Sequence, residues 1–201
     1  MPDSPSRRSR KRQRTRTEIL AAGARLLDRR NFSDLSIGAL CEEADVARAT
    51  FFLHFDNKSS LLLAWEAELV EALDDALAES VGRVASVYRA MADAFWLRPG
   101  VSRCVIGTAL GDPSPGVLLE RVRRELTELA GRGMLRPSYA PELAARVWLG
   151  EVAAVLGSPE GRRGSTAQRD ELLRVVLSGV TESKPRLKWS PARAPGASQT
   201  V

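Results

Sequence analysis

"RATFFLHFDNK", residues 48–58, decides how this chain is read. It carries three of the five phenylalanines and the only histidine, set between an arginine and a lysine. At helical spacing Phe51 and Phe55 are four apart and share one face, while Arg48 and Phe52 share another. Phe51 and Phe55 therefore read as core. Arg48, Ala49, Thr50, Phe52 and His54 read as an outward face, with His54 open between a phosphate donor and a structural side chain.

On either side the pattern is helical. A first helix is expected over about 15–30, with Ile19, Ala22, Gly23, Leu26 and Leu27 on one face. "NFSDLS" breaks it, and Ser36 is a good N-cap for a short helix through Ala44, with Ile37, Leu40 and Cys41 as its stripe. "ADVA" is a tight connection to a third short helix, from about Ala47 to Phe55. A long fourth helix is expected over about 58–79, capped by Asp56 or Ser59. Its inward stripe is Leu62, Trp65, Leu69, Leu73 and Leu77. Its outer face is acidic (Glu66, Glu68, Glu71, Asp74, Asp75 and Glu79), and no lysine or arginine falls between Ser59 and Ser80. Further helices are expected at about 83–97, 101–109, 115–131, 139–157 and 167–182. The breaks between them, "RPG", "GDPSPG", "GRGMLRPS" and "GSPEGRRGS", hold glycine and proline. No alternating β-branched run marks a strand. The fold class is all-α, with about nine helices.

The two ends differ from this body. Residues 1–14 form an arginine-rich segment expected to be a disordered basic arm, and 183–201 a disordered tail with three prolines and no acid. Between them, 15–60 reads as a helix-turn-helix domain and 61–182 as a helical body. Net charge is +5 at a sequence pI of about 9.7, which points weakly to a polyanionic partner. Cys41 and Cys104 lie far apart with no metal-ligand spacing. With no stretch near the roughly 20 apolar residues of a membrane span and no signal-peptide run, a cytoplasmic protein is expected.

Two short helices joined by a turn of three or four residues match a helix-turn-helix unit. There the first helix crosses the phosphate backbone and the start of the second reaches base edges. Ser36 sits at a helix start suited to a phosphate. Arg48 and Thr50 suit base edges, and Lys58 a phosphate. Arg12, Arg14 and Arg16 in the basic segment suit an adjacent minor groove. Spacing alone leaves open the alternative of a helix-packing turn in a bundle.

The stretch "TEILAAGARLLDRRNFSDLSIGALCEEADVARATFFLHFDNKSSLL", within residues 15–62, resembles the TetR family of bacterial transcription regulators. Phe32, Ser36, Ala44, Val46, Thr50, Phe51, Phe52, His54, Phe55 and Lys58 stand at that family's motif positions. "RCVIGTALGDP" and "GRGMLRPSYAPELAARVWLGEVAAVL" resemble its ligand-binding and dimerisation half more weakly. The resemblance implies an all-α homodimer whose N-terminal domains bind successive major grooves of an inverted-repeat duplex and are released by a small-molecule effector. It assigns Ser36 and Lys58 to phosphates, Arg48, Ala49 and Thr50 to bases, and Phe52 and His54 to the DNA backbone or the core edge. The family often carries Tyr where this chain has Phe52, which cannot donate to a phosphate. Gly38 is a second departure, unfavourable in a helix by roughly 1 kcal/mol against Ala.

The C-terminal half carries no nucleophile–base pair, Gly-rich phosphate loop or second histidine, so no enzyme and no cofactor is expected. An apolar pocket between helices is the expected effector site. Its candidates are Trp65, Leu69, Met91, Phe95 and Trp96, with Cys104, Ile106, Leu126 and Trp148. These residue types equally suit plain core. The last two helices show wide apolar faces, Leu143, Val147, Trp148, Val152 and Val155, then Leu172, Leu173, Val176, Leu177 and Val180. Pairing these faces with a twofold copy builds a four-helix bundle. Two other readings stay open: a DNA-binding coregulator without a small-molecule ligand, and a ligand-binding protein or enzyme with a vestigial DNA domain.

Overall fold

The computed structural model of the protein describes residues 7–80, 84–112, 116–133 and 140–158. These residues form eight helices and no strand: α1 (Arg7–Leu27), α2 (Ile37–Ala44), α3 (Arg48–Phe52), α4 (Ser59–Ala78), α5 (Val84–Trp96), α6 (Pro99–Gly111), α7 (Val117–Gly131) and α8 (Pro141–Gly157). The helix expected at 167–182, with Leu172, Leu173, Val176, Leu177 and Val180, lies outside the described residues, as does the tail 183–201.

α1 takes in residues 7–14 of the expected basic arm. It starts at Arg7, not near residue 15, although its first buried residue is Ile19. Arg, Lys and Gln are good helix formers, and extending a helix that packing already fixes costs little compared with nucleating one. Packing begins on the expected face, where Ile19, Ala22, Gly23, Leu26 and Leu27 are buried with Leu20.

The caps of the next helices set their angles. The Ser36 hydroxyl oxygen accepts the Ala39 N–H at 3.1 Å and starts α2. Asp45 ends it in the left-handed region, φ 51°, so that its own N–H and that of Val46 close back on Glu42 and Cys41 carbonyls. That reversal turns the chain into α3 within three residues. α4 starts on Asn57, whose side-chain oxygen accepts the Ser60 N–H at 3.0 Å. Neither Asp56 nor Ser59 supplies this cap. The inward stripe of α4 is as expected at Trp65, Leu69, Leu73 and Leu77, but Leu61, not Leu62, leads it.

α6 extends further than its break suggested, whereas α8 starts slightly later than expected; Pro99 and Pro141 each occupy a first-turn position. There the missing N–H has no helical partner to lose. Gly100 is buried where a Cβ would stand 2.7 Å from the Asp28 carboxylate and 2.8 Å from the Leu27 carbonyl carbon. Its absence lets the start of α6 press on the end of α1. Arg103 then donates to the Leu27 carbonyl at 3.0 Å, a cation at the negative end of α1.

Part of the acidic face of α4 is a seam, while Glu71, Asp75 and Glu79 stand exposed. Glu66 accepts the Leu118 N–H at 2.9 Å at the start of α7. Glu68 pairs with Arg98 at 2.5 Å, and Asp74 with Arg121 at 2.5 Å, which also meets Glu125 at 3.2 Å. One apolar core runs from Ile19 to Leu156 through both halves. Trp65 sits at the junction: its ring N–H donates to the Leu20 carbonyl at 3.3 Å, and its ring meets Phe32 edge-on at 6.4 Å. Among the described residues no helix is long and apolar enough to cross a membrane, and no side-chain cluster could hold a metal.

Candidate nucleic-acid interface

α3 is one short turn-and-a-half held from behind. Phe51 is fully buried and Phe55 nearly so, with their rings 5.6 Å apart. This anchoring turns the other side of α3 outward, where Arg48 and Ala49 are exposed, Thr50 is half-buried and Phe52 is 47 % exposed. Arg48 comes close enough to Cys41 to favour its thiolate, yet burial dominates and raises that thiol's pKa. An open groove of about 720 Å³ runs between α2 and the start of α3, lined by Ser36, Gly38, Ala39, Glu42, Val46 and Arg48 among others. Glu42 and Asp45 are the unfavourable groups in it for an anion.

The cations expected to meet phosphates are largely engaged with the protein itself. Lys58 donates its ammonium to the carbonyls of Phe32 at 2.8 Å and Ser33 at 3.3 Å, and lies 4.5 Å from the centre of the Phe32 ring. It braces the α1–α2 turn. Arg16 donates to the His54 carbonyl at 3.0 Å and covers the Phe55 ring at 4.4 Å. Arg12 reaches the Leu53 carbonyl at 3.4 Å, so both arginines complement the end of α3. Arg14 pairs with Glu18 at 2.9 Å. His54 is half-buried; burial, then the charges of Arg12 and Arg16, hold its pKa below the ordinary value. Its imidazole is neutral at pH 7.

Sequence reasoning missed two contributors. Arg25 clamps α1 to α2 through Glu43, at 2.6 Å to the carboxylate and 3.2 Å to the carbonyl. Arg7, Arg8, Arg10 and Lys11 are exposed on α1, with no ion-pair partner among the described residues. The composition of the segment signalled these cations, but their helical placement was not foreseen.

The expected effector candidates fall mostly into continuous core. Met91, Phe95, Ile106 and Leu126 are fully buried, and the Phe95 and Trp148 rings lie 5.4 Å apart. Trp96 is buried and Cys104 half-buried, its thiol pushed up to about 11 by burial against the pull of Arg103 and Lys58. Trp65 and Leu69 line a recess of about 160 Å³ with Ala72, Ala94 and Val101, where the Glu68–Arg98 pair also stands. Of the expected dimer residues, Leu143 and Val147 are each 51 % exposed and Val155 is half-buried. Val152 is fully buried in its own subunit and cannot meet a partner. It falls five residues beyond Val147, on the inward side of α8.

The described chain is thus a helix-turn-helix unit of α2 and α3, backed by α1 and mounted on a helical body by α4. Residues 19–65 match the family described as bacterial regulatory proteins, tetR family. It is 32 % identical over 63 residues to the HTH-type transcriptional regulator EthR of Mycolicibacterium smegmatis, a match covering 31 % of this chain and 29 % of that relative's length. The fold is similar to a putative tetR family transcription regulator from Shewanella sp. PV-4 (TM-score 0.59, 18 % identity, 84 % of this chain and 99 % of that one). It is also similar to a gamma-butyrolactone receptor, an ArpA-like protein (TM-score 0.61, 15 % identity, 86 % and 90 %).

Proposed function

We propose that the protein is a sequence-specific, DNA-binding transcriptional regulator, acting as a homodimeric repressor on an inverted repeat. One observation carries the reading. Phe51 and Phe55 pin α3 from behind, so Arg48 and Ala49 stand exposed at its leading end beside half-buried Thr50. Arg48 suits a guanine edge, and Ala49 or Thr50 a thymine methyl. Ser36, whose oxygen caps α2, keeps its hydroxyl proton to donate to a phosphate. Phe52 offers an apolar contact in place of a phosphate donor. The effector is a small apolar or amphipathic molecule that perturbs the junction around Trp65.

A second reading, a regulator without a small-molecule effector, is favoured by the size of the Trp65 recess. It lies below the ~300–1,000 Å³ of ordinary ligand pockets. Selection from random duplexes with the purified protein tests the main reading. An inverted repeat with half-sites about 34–36 Å apart is expected. Arg48→Ala should lose about 1–3 kcal/mol of discrimination at one base position per half-site. Selection of no common sequence, at low salt as well as physiological salt, overturns it. A ligand screen by thermal shift separates the two readings.

A further inference from the structure

The first half of α1 has features that the helix-turn-helix unit does not use. From Arg7 to Thr17 there is no acid and no apolar residue, and seven side chains are cationic. The helix sorts them into two stripes. Arg8, Arg12 and Arg16 recur every four residues and share one side; Arg7, Arg10, Lys11 and Arg14 follow i, i+3, i+4 and i+7 on the adjoining side. The first stripe has a known direction. Arg16 and Arg12 bond to the carbonyls of His54 and Leu53 at the end of α3. Arg8, one turn further out, is therefore about 6 Å beyond Arg12 along the helix axis. What α3 touches, this stripe meets next.

The same segment is electrostatically unsuited to stand alone. Like charges face each other at Arg7/Lys11, Arg8/Arg12, Arg10/Arg14 and Arg12/Arg16, each pair destabilising to a helix. No acid offsets the positive end of the helix dipole in the first turn. A helix polar on all sides has no packing of its own to hold it. A polyanion removes all of these penalties together. A membrane surface does not fit, because a membrane-lying helix needs an apolar face opposite its cations, and residues 7–17 have none.

We propose that the first half of α1 is a second DNA-contacting element, a helical rod whose Arg7, Arg8, Arg10 and Lys11 lie against phosphates flanking the groove that α3 occupies, and that the duplex completes this helix by neutralising it. The proposal rests on the DNA-binding reading above. It moves the phosphate contacts from Arg12, Arg14 and Arg16, which the protein itself engages, to the four outer cations.

The experiment uses the full chain and its selected duplex with about ten base pairs of flanking DNA on each side. The quadruple variant Arg7→Gln, Arg8→Gln, Arg10→Gln, Lys11→Gln keeps good helix formers and removes the charge. Its salt dependence should be shallower by about 1.8 or more in log–log slope, at about 0.9 per lost phosphate contact and two or more contacts. Its ranking of operator variants should not change. Gln13→Pro keeps all seven cations but breaks the rod upstream of the first buried residue. It should lose affinity and the hydrogen-exchange protection that the parent gains at amides 8–12 on adding duplex, with its melting temperature retained. An unchanged slope in the quadruple variant overturns the surface. Parental affinity in Gln13→Pro overturns the rod in favour of a flexible arm. A parent chain that binds no duplex fails together with the DNA-binding reading, whereas a parent that binds and a quadruple variant that matches it fail this inference alone.

Discussion

Lys58 shows how one side chain divides two readings. The family resemblance places it on a phosphate, yet two of its three ammonium protons are directed at the Phe32 and Ser33 carbonyls. Its neutralisation is therefore a stability change first. Lys58→Gln should lower unfolding free energy by about 1–2 kcal/mol, as for a hydrogen bond to a charged group in a half-buried site. Its effect on the salt slope of duplex binding should stay below one phosphate contact. Denaturant titration alongside binding at three salt concentrations checks both. His54 gives a pH counterpart. Burial and the two arginines lower its folded pKa below 6.5, so the unfolded chain binds the proton more readily than the native one. This contribution to stability is complete above about pH 6.5 and is lost as pH falls through the folded value. His54→Gln should flatten the acid limb of a stability–pH profile between pH 7 and 5, and an unaltered limb in that variant refutes the assignment.

At the scale of elements, what could be read from the chain followed from local chemistry. The Ser36 cap, the Phe51 and Phe55 anchors and the buried face of α1 are each set by spacing or by a residue type with one dominant preference. The start of α1 was not legible, because composition argues for disorder while continuity with a packed helix argues the other way. Only the head of the α4 stripe was misplaced, because Leu61 and Leu62 are chemically identical and stand four and three residues before Trp65, both helical spacings. The acidic stripe of α4 was visible as charge, but its arginine partners arrive from α7 and from the α5–α6 link, 30 or more positions away. Two glycines carry the contrast further. In Gly38 a Cβ would meet only the Ser36 oxygen at 3.7 Å, so Gly38→Ala should gain stability, by somewhat under ~1 kcal/mol this near a helix end. In Gly23 a Cβ would stand 2.5 Å from the Trp65 ring. Gly23→Ala should lose stability despite the same gain in helix propensity, because the indole must move off the Leu20 carbonyl and into the α4–α5–α6 recess. Thermal melts of the two variants should shift in opposite directions, and Trp fluorescence should change only in Gly23→Ala.

The proposed homodimer turns on how two such units are held. A single α3 of five residues reads too few base edges for tight binding, so linking two copies multiplies affinity through effective concentration without any new contact. α8 leaves two apolar side chains of one side uncovered: Leu143 and Val147 are four apart and half exposed, whereas Val152, Trp148 and Leu149 point into the chain's own core. The two sets of residues predict opposite failures. Leu143→Glu with Val147→Glu should leave the melting of each subunit cooperative but convert a dimer to a monomer in sedimentation, with duplex affinity falling at least a hundredfold as bivalency is lost. Val152→Glu buries a carboxylate without a partner and should unfold the subunit outright. If the double variant sediments with the parent, α8 is not the pairing surface, and the spacing of the two α3 helices must be fixed by another face.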